Sequence, residues 1–334
     1  MGGSDRPYRL DIHRHYLPGF LIDEGRNGAA IDGVRVDDGM VIHRQGYRYP
    51  LESDFHDLDA MLASLDAGEV DHAVVSVAPT LYFYNCDVAE AARFCRRTND
   101  WITRLAEVSG GRISGMANLP MQDPQAAAGE LQRCMEELGM RSAQIGTEIE
   151  GRPLDDPRFE PLFSVAEKLE AVLLLHPYFV GSRPGFEDFY LTNLVGLPLS
   201  TTVAAARLFF SGFFGRHRVR FVLVHGGGFM PYKLGRFDRG YEVREESSGM
   251  SERRPSDWLD LLYYDTLTHD GAALRFLIDL VGAGHVLFGT DLPFDMTDPG
   301  QEEVIEKLPS HVADRVWGAN ALELLGKDRA AATS

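Results

Sequence analysis

The chain is poor in cysteine. Cys86, Cys95 and Cys134 are the only three in 334 residues, and none belongs to a CxxC pair. So sparse and odd a set argues against a disulfide framework. It points to reduced thiols packed as small core residues in a cytoplasmic protein. Long apolar runs are missing too: the longest, such as Ala171–Leu175, are strand-sized, so no membrane span is expected. The opening MGGSDRPYRL has no apolar stretch of the kind a secretory leader carries, and Arg6 stands where a myristoylation signal needs Ser or Thr. Positive charge is also short. Lys and Arg total 33 against 50 Asp and Glu, a net charge of −17. Such a surface repels phosphate backbones and anionic bilayers, so no nucleic-acid or membrane partner is expected. An anionic substrate would need a local cluster of arginines.

What is present is a regular alternation. Eight short runs suit buried strands: Arg9–Tyr16, His72–Ala78, Arg112–Leu119, Ser142–Thr147, Ala171–Pro177, Val219–His225, Leu261–Thr266 and His285–Asp291. Helix-like segments lie between them at Asp87–Glu107, Asp123–Leu138, Asp155–Leu169 and Asp270–Leu280, with Asp123 as a cap and Pro124 in the first turn. Strand–helix alternation implies a parallel sheet with crossover helices, and eight rounds imply closure. The expected fold is α/β, a (β/α)₈ TIM barrel formed by residues 1–334 as a single domain. Two stretches exceed ordinary loop length, 17–57 after the first strand and 179–214 after the fifth, the latter with an apolar helical segment Thr202–Phe210. Both follow the strand ends at which such barrels build their sites. The tail 327–334 is expected to be disordered.

Polar residues interrupt this apolar pattern at particular places. The first strand reads Asp11-Ile12-His13-Arg14-His15, and period-two alternation puts His13 and His15 on one face. The fifth run ends at His176, the sixth at His225 and the eighth at Asp291. Each alone reads as a hydrogen-bonded core histidine or a helix-capping aspartate. Together they sit at the C-terminal ends of four strands that converge on one mouth. Buried imidazoles and a carboxylate are costly without a partner, and one divalent metal ion is the natural compensation. Three imidazoles and a carboxylate suit Zn²⁺ first, with Mn²⁺, Co²⁺ and Fe²⁺ also compatible.

The segments DIHRHYLP, LLLHPYF, VLVHGGGFMPYKLGRFD and VLFGTDLPF resemble the amidohydrolase superfamily. More narrowly they resemble the amidohydrolase-2 branch that contains the amino-carboxymuconate semialdehyde decarboxylases. The similarity runs from Arg9 to Leu325, and HGGG followed by LGR and an acidic residue is its most specific part. The resemblance implies that His13, His15, His176 and Asp291 bind the metal. It implies that His225 is catalytic, with Asp291 able to shuttle a proton. By the same resemblance Arg48 of GYRYP binds a substrate carboxylate, and Arg236 of LGR reaches the neighbouring subunit's site in a homodimer. The fourth run, SAQIGTE, contains no lysine, which agrees with a mononuclear site. Tyr178 stands where the branch has Trp, and is expected to touch substrate.

The function this implies is non-oxidative decarboxylation of a small unsaturated or aromatic carboxylate. The alternatives are a metal-dependent hydrolase or hydratase of the same superfamily, using a metal-bound water, and a non-catalytic binding barrel. Tyr82, Phe83 and Tyr84 form either a substrate wall or a cover over the strand ends. Asp265 and His269 stand near the mouth. His43, His56, His72, His217, His285 and His311 read as surface or structural, and Arg14 as structural. Gly226, Gly227 and Gly228 are expected to let backbone pass close to the site.

Overall fold

Each apolar run becomes a strand. The computed structural model describes residues 6–178 and 184–326, so the tail 327–334 and the segment 179–183 lie outside the described residues. The strands are β1 (Leu10–Tyr16), β2 (His72–Val77), β3 (Ile113–Gly115, resumed as Ala117–Asn118) and β4 (Ser142–Gly146). They continue as β5 (Val172–His176), β6 (Arg220–Leu223), β7 (Leu262–Asp265) and β8 (Val286–Leu287). All pair in parallel. The first half of β3 pairs with β2, which pairs with β1; its second half begins an arc that runs through β4, β5, β6 and β7 to β8. Strands covered on both faces need continuous apolar sequence, which explains why these runs do not alternate.

The eighth strand is shorter than its run. Beyond Leu287 the backbone leaves the regular ladder, yet it still bonds to β1: Ile12 N donates to Phe288 O at 3.0 Å, Asp291 N to His13 O at 2.8 Å and His15 N to Leu292 O at 2.8 Å. Close approach is the reason. A Cβ on Gly289 would come within 2.9 Å of His13 Cβ and 3.1 Å of Asp265 Cβ.

The helices follow their caps. Val88–Val108 starts after Asp87, which accepts from Ala89 N and Glu90 N, and Gly271–Val281 starts after Asp270, which accepts from Ala272 N and Ala273 N. Pro124–Glu136 starts after Asp123, as its sequence indicates. Each such cap contributes about 1 kcal/mol. The helix expected from Asp155 starts later, at Glu160, because Asp156 instead caps a short 3₁₀ turn over Pro157–Phe159. Residues 17–57 hold a helix, Gly19–Arg26, and a three-stranded antiparallel sheet of Arg35–Asp37, Met40–Ile42 and Arg48–Pro50. The second long stretch holds the helix Leu197–Phe210, entered through Thr192–Gly196. Thr192–Phe210 is long and apolar enough to span a bilayer by length and composition, but Thr202, Ala204, Ala205, Leu208 and Phe209 are buried within the protein.

One departure from regular pairing matters for the site. The β1–β2 ladder slips by a residue between Asp11 and Arg14. Leu10 and Ile12 pack with Val74, Met116, Val172, Leu174 and Val222 in an inner apolar cluster, closed below by Ala321, Leu322 and Leu324. The extra residue lets His13 and His15 face the same interior, one step nearer the strand ends. The site therefore rests on a packed apolar floor.

Candidate active site

Four strand ends deliver the polar residues. His13 and His15 come from β1, His176 is the last residue of β5, and Asp291 lies just beyond β8. One ligand atom from each of these four falls within 4.8 Å of all the others, and all four residues are buried. His13 Nε2 is 3.2 Å from His15 Nε2, and Asp291 Oδ1 is 2.9 Å from His15 Nε2 and 3.4 Å from His13 Nε2. These separations gather the candidate ligand atoms around one small volume. His176 Nε2 and Asp291 Oδ1 are buried with no hydrogen-bond partner. Orphaned buried acceptors are rare in proteins, and a cation satisfies both at once. The donor set thus fits one divalent metal ion.

The electrostatics favour neutral imidazoles at His176 and His15 but not at His13, where burial lowers the pKa and Asp291 with Asp265 together outweigh it and raise it. Burial, with His13 and His225 nearby, holds His176 well below the usual imidazole range, so it is neutral and able to ligate. Burial also lowers His15, although Asp291 opposes it. For Asp291, burial favours the neutral acid, but the surrounding imidazoles of His13, His15 and His225 outweigh it and hold the carboxyl well below its ordinary range.

A surrounding layer orients these ligands. Asp265, at the end of β7, is fully buried rather than lining the mouth. Its Oδ2 accepts from His13 Nδ1 at 2.7 Å and from the His225 backbone N at 2.9 Å, and its Oδ1 accepts from Gly226 N at 2.7 Å. That bond leaves His13 Nε2 as the ligating nitrogen. His15 Nδ1 meets Ser76 Oγ at 3.1 Å, and Ser76 in turn donates to Gln144 Oε1 at 2.6 Å. Asp11 accepts from His13 N, Thr290 N and Thr290 Oγ1, tying β1 to the turn that carries Asp291. Ser76 and Gln144 are not among the residues that the sequence pattern singles out. The signal for both was available, since each is a polar residue on an otherwise apolar strand, as the histidines are.

His225 occupies a different position. It follows β6, stays partly open with a side chain 17% exposed, and places Nε2 3.5 Å from Asp291 Oδ2. Its backbone is left-handed (φ 56°), uncommon for a residue with a side chain. The glycines after it make room: a Cβ on Gly227 would meet the Tyr264 ring at 2.8 Å, and one on Gly228 would meet Pro198 O at 2.3 Å.

Above the cluster opens a cavity of about 1090 Å³, with His176, His225 and Asp291 among its lining residues. Tyr178 lines it beside Tyr47, Phe186, Tyr190 and Phe294. The Phe294 ring lies 5.3 Å from that of His15. Tyr82 and Tyr84 are stacked on each other at 4.9 Å and packed against Tyr178 from behind, so they back the wall instead of forming it. His269 lines the cavity with Nε2 2.8 Å from Met296 O. His72 and His217 are buried structural side chains, and Arg14 is buried and hydrogen-bonded to Ser64 Oγ.

The two arginines are not brought to this cavity within one chain. Arg48 sits on the antiparallel sheet with its side chain exposed, because alternation turns its neighbours Tyr47 and Tyr49 inward. Arg236 is exposed on the helix Met230–Val243.

The amidohydrolase family model matches residues 10–327. A 2-amino-3-carboxymuconate-6-semialdehyde decarboxylase of Dictyostelium discoideum is 32% identical over 97% of this chain and 93% of its own. A gamma-resorcylate decarboxylase of a Rhizobium species is 32% identical over 72% of this chain and 78% of its own. The solved structure of Metarhizium anisopliae IDCase in apo form superposes with a TM-score of 0.83 at 26% identity, covering 96% of this chain and 97% of that one. The match spans nearly every described strand and helix, and all four cluster residues fall inside it: the chain belongs to the amidohydrolase family.

Proposed function

We propose that the protein is a metal-dependent, non-oxidative decarboxylase, a carboxy-lyase acting on a small unsaturated or aromatic carboxylate. The observation that carries this is the buried cluster of His13, His15, His176 and Asp291 beneath a large aromatic-walled cavity, with His225 beside it and open to that cavity. The relatives named above act as decarboxylases. The two arcs of strands are taken to close into a (β/α)₈ barrel, supported by the bonds from β1 to Phe288, Asp291 and Leu292. The long stretches after β1 and β5 are its insertions, and the chain is a single domain.

The four ligands would hold one divalent ion, Zn²⁺ by preference of the donor set and Mn²⁺ as the next choice. When bound, the ion supplies positive charge against which negative charge developing on the substrate is stabilised. Decarboxylation breaks a carbon–carbon bond heterolytically. CO₂ leaves, the electron pair stays on the unsaturated carbon, and that carbon takes a proton. His225 is the group to deliver it, because it lies outside the four-residue cluster, lines the cavity and places Nε2 3.5 Å from Asp291 Oδ2. Asp291 holds the adjacent position from which a proton can be relayed to His225. Tyr178 presents an aromatic edge to a planar substrate. Arg236, exposed in a single chain, is proposed to serve a neighbouring copy in a homodimer and to hold the substrate's carboxylate there by charge-assisted hydrogen bonds. Arg48, exposed on the antiparallel sheet, is proposed for the same role. A cytoplasmic location fits three unpaired cysteines.

The test is CO₂ release from a panel of hydroxylated benzoates and carboxymuconate semialdehydes, run beside elemental analysis of the purified protein. One ion per chain with CO₂ from at least one acid is expected. Water addition or hydrolysis without CO₂ would replace this reading with the hydratase or hydrolase alternative.

A further inference from the structure

β3 is broken in two, and the break frees a carbonyl that organises one side of the cluster. The ladder of its first half closes with Met116 N donating to Val75 O at 2.9 Å. Two residues on, Asn118 N turns to Asn99 Oδ1 at 2.8 Å instead of continuing along β2. The next carbonyl on that edge of β2 is Val77 O. It takes a side chain from β4 in place of a strand: Gln144 Nε2 donates to it at 2.8 Å. Gln144 reaches inward, because it pairs in register with Leu174, a member of the inner apolar cluster.

This bond decides which end of the amide is which. A backbone carbonyl only accepts, so the nitrogen faces Val77 and Oε1 faces Ser76. Ser76 pairs in register with His15, which puts both side chains on one face. A serine hydroxyl has a single proton to give. The oxygens within its reach are Gln144 Oε1 at 2.6 Å and Arg14 O at 3.2 Å, both carbonyl oxygens with no proton to return. Ser76 Oγ is left to accept, and the group facing it is His15 Nδ1 at 3.1 Å. Nδ1 then carries the proton and Nε2 is free to ligate. His15, Ser76 and Gln144 are each 1% exposed, so bulk water does not compete for these bonds.

We infer that Ser76 and Gln144 are positioning residues for His15: the chain of Val77 O, Gln144 and Ser76 holds the imidazole in the tautomer whose Nε2 can bind the ion, with Gln144 acting only through Ser76. The inference rests on the metal-site reading and deepens it. His13 and His15 are set by unlike partners, a buried carboxylate for the first and a neutral hydroxyl for the second. A neutral hydrogen bond is about half as strong as a charge-assisted one. The loss at His15 therefore belongs at the lower end of the about 10–100-fold range for such partners.

The test titrates Zn²⁺ against a competing chelator. Ser76→Ala leaves a buried Nδ1–H without its acceptor, and affinity falls about tenfold. Gln144→Met keeps the length but neither accepts from Ser76 nor bonds to Val77, and affinity falls about threefold. The double variant binds no more weakly than Ser76→Ala, since Gln144 then has nothing to act through. If melting shows that Ser76→Ala disturbs the fold, Ser76→Thr and Ser76→Val make the same comparison at one volume, and the threonine binds more tightly. A second readout needs no metal. In nitrogen NMR spectra of histidine-labelled, metal-free protein, Ser76→Ala and Gln144→Met both move His15 toward the Nε2–H form, which Asp291 Oδ1 at 2.9 Å accepts. Losses that multiply in the double variant overturn the inference. So does wild-type affinity in Ser76→Ala, or a His15 tautomer that neither variant moves. A wild type that takes up no ion while the tautomer still shifts counts against the metal-site reading and leaves the positioning of His15 standing.

Discussion

Asp265 Oδ2 accepts from His13 Nδ1 at 2.7 Å, and the same carboxylate accepts from the backbone N of His225 at 2.9 Å. One buried side chain therefore fixes both the ring of a proposed metal ligand and the loop that carries His225, the proposed proton donor. Asp265→Asn keeps the shape but loses the charge and part of the accepting capacity. Partners of this kind are worth about 10–100-fold in metal affinity when removed. The variant is expected to fall in that range when titrated with Zn²⁺ against a competing chelator. Unchanged affinity would show that Asp265 serves the fold alone.

His225 is expected to separate binding from chemistry. Its Nε2 is 3.5 Å from Asp291 Oδ2, but it lies outside the four-ligand cluster. His225→Asn should therefore retain about one ion per chain while CO₂ release falls by about 10²–10⁴-fold, the range for removing a positioned acid–base group. Loss of the ion along with the activity would make His225 a ligand instead.

The arrangement of strands and the buried cluster of candidate ligands was readable in the sequence for one physical reason. Strands buried on both faces carry few polar residues, so His13, His15, His176 and Asp291 stand out against runs such as Val172–Leu175. Ser76 and Gln144 carried the same signal more faintly, because a hydroxyl or amide in a core is usually satisfied locally. Much of the cavity's lining was not readable. Tyr47, Tyr190 and Asp295 meet through loop geometry, left-handed backbone and chain reversal, none of which leaves a periodic trace. Arg48 shows the converse: residue type and neighbourhood suggested a carboxylate clamp, while strand alternation turned Tyr47 inward and Arg48 out.

Gly228 is expected to tolerate nothing larger. Its φ is 63°, and an added Cβ would meet Pro198 O at 2.3 Å, a backbone atom that cannot swing aside. Gly228→Ala should cost about 1–3 kcal/mol or more in stability. Because the loop begins at His225, CO₂ release should fall further than the lowered melting temperature explains. A control at Gly129, inside the helix Pro124–Glu136 and with nothing within 4 Å of an added Cβ, should leave CO₂ release unchanged and raise stability by up to about 1 kcal/mol.

His43 gives the stretch after β1 its own pH dependence. The ring is buried, stacked on Tyr49 at 5.7 Å, and its Nε2 has no hydrogen-bond partner. Burial lowers its pKa from 6.5 to about 4, with Asp32 opposing. The unfolded segment thus binds more protons than the folded one between these values. Stability contributed by neutral His43 is whole above pH 6.5, falls as pH drops from 6.5 toward 4, and is gone below that, a loss of about 3 kcal/mol. Hydrogen exchange over 35–50 should accelerate between pH 7 and pH 5 after correction for intrinsic rate. His43→Phe, which keeps the stacking and removes the proton site, should flatten the profile.

Arg236 poses the question of a second subunit. It is exposed on the helix Met230–Val243 and is absent from the described lining of its own chain's cavity. If it serves a neighbouring copy, Arg236→Ala and His225→Asn chains are each inactive alone but complement when mixed. In the mixed dimer one site combines an intact His225 with an intact Arg236 from across the interface, while the other site carries both defects. Random re-pairing of equal amounts makes half of the dimers mixed, so about a quarter of all sites should regain activity. The mixture should show a single dimer peak by light scattering, and CO₂ release should rise toward that fraction as subunits exchange. No recovery, with exchange verified by a mass-tagged chain, would return Arg236 to an ordinary surface residue. The substrate carboxylate would then be left to the metal cluster and His225 alone.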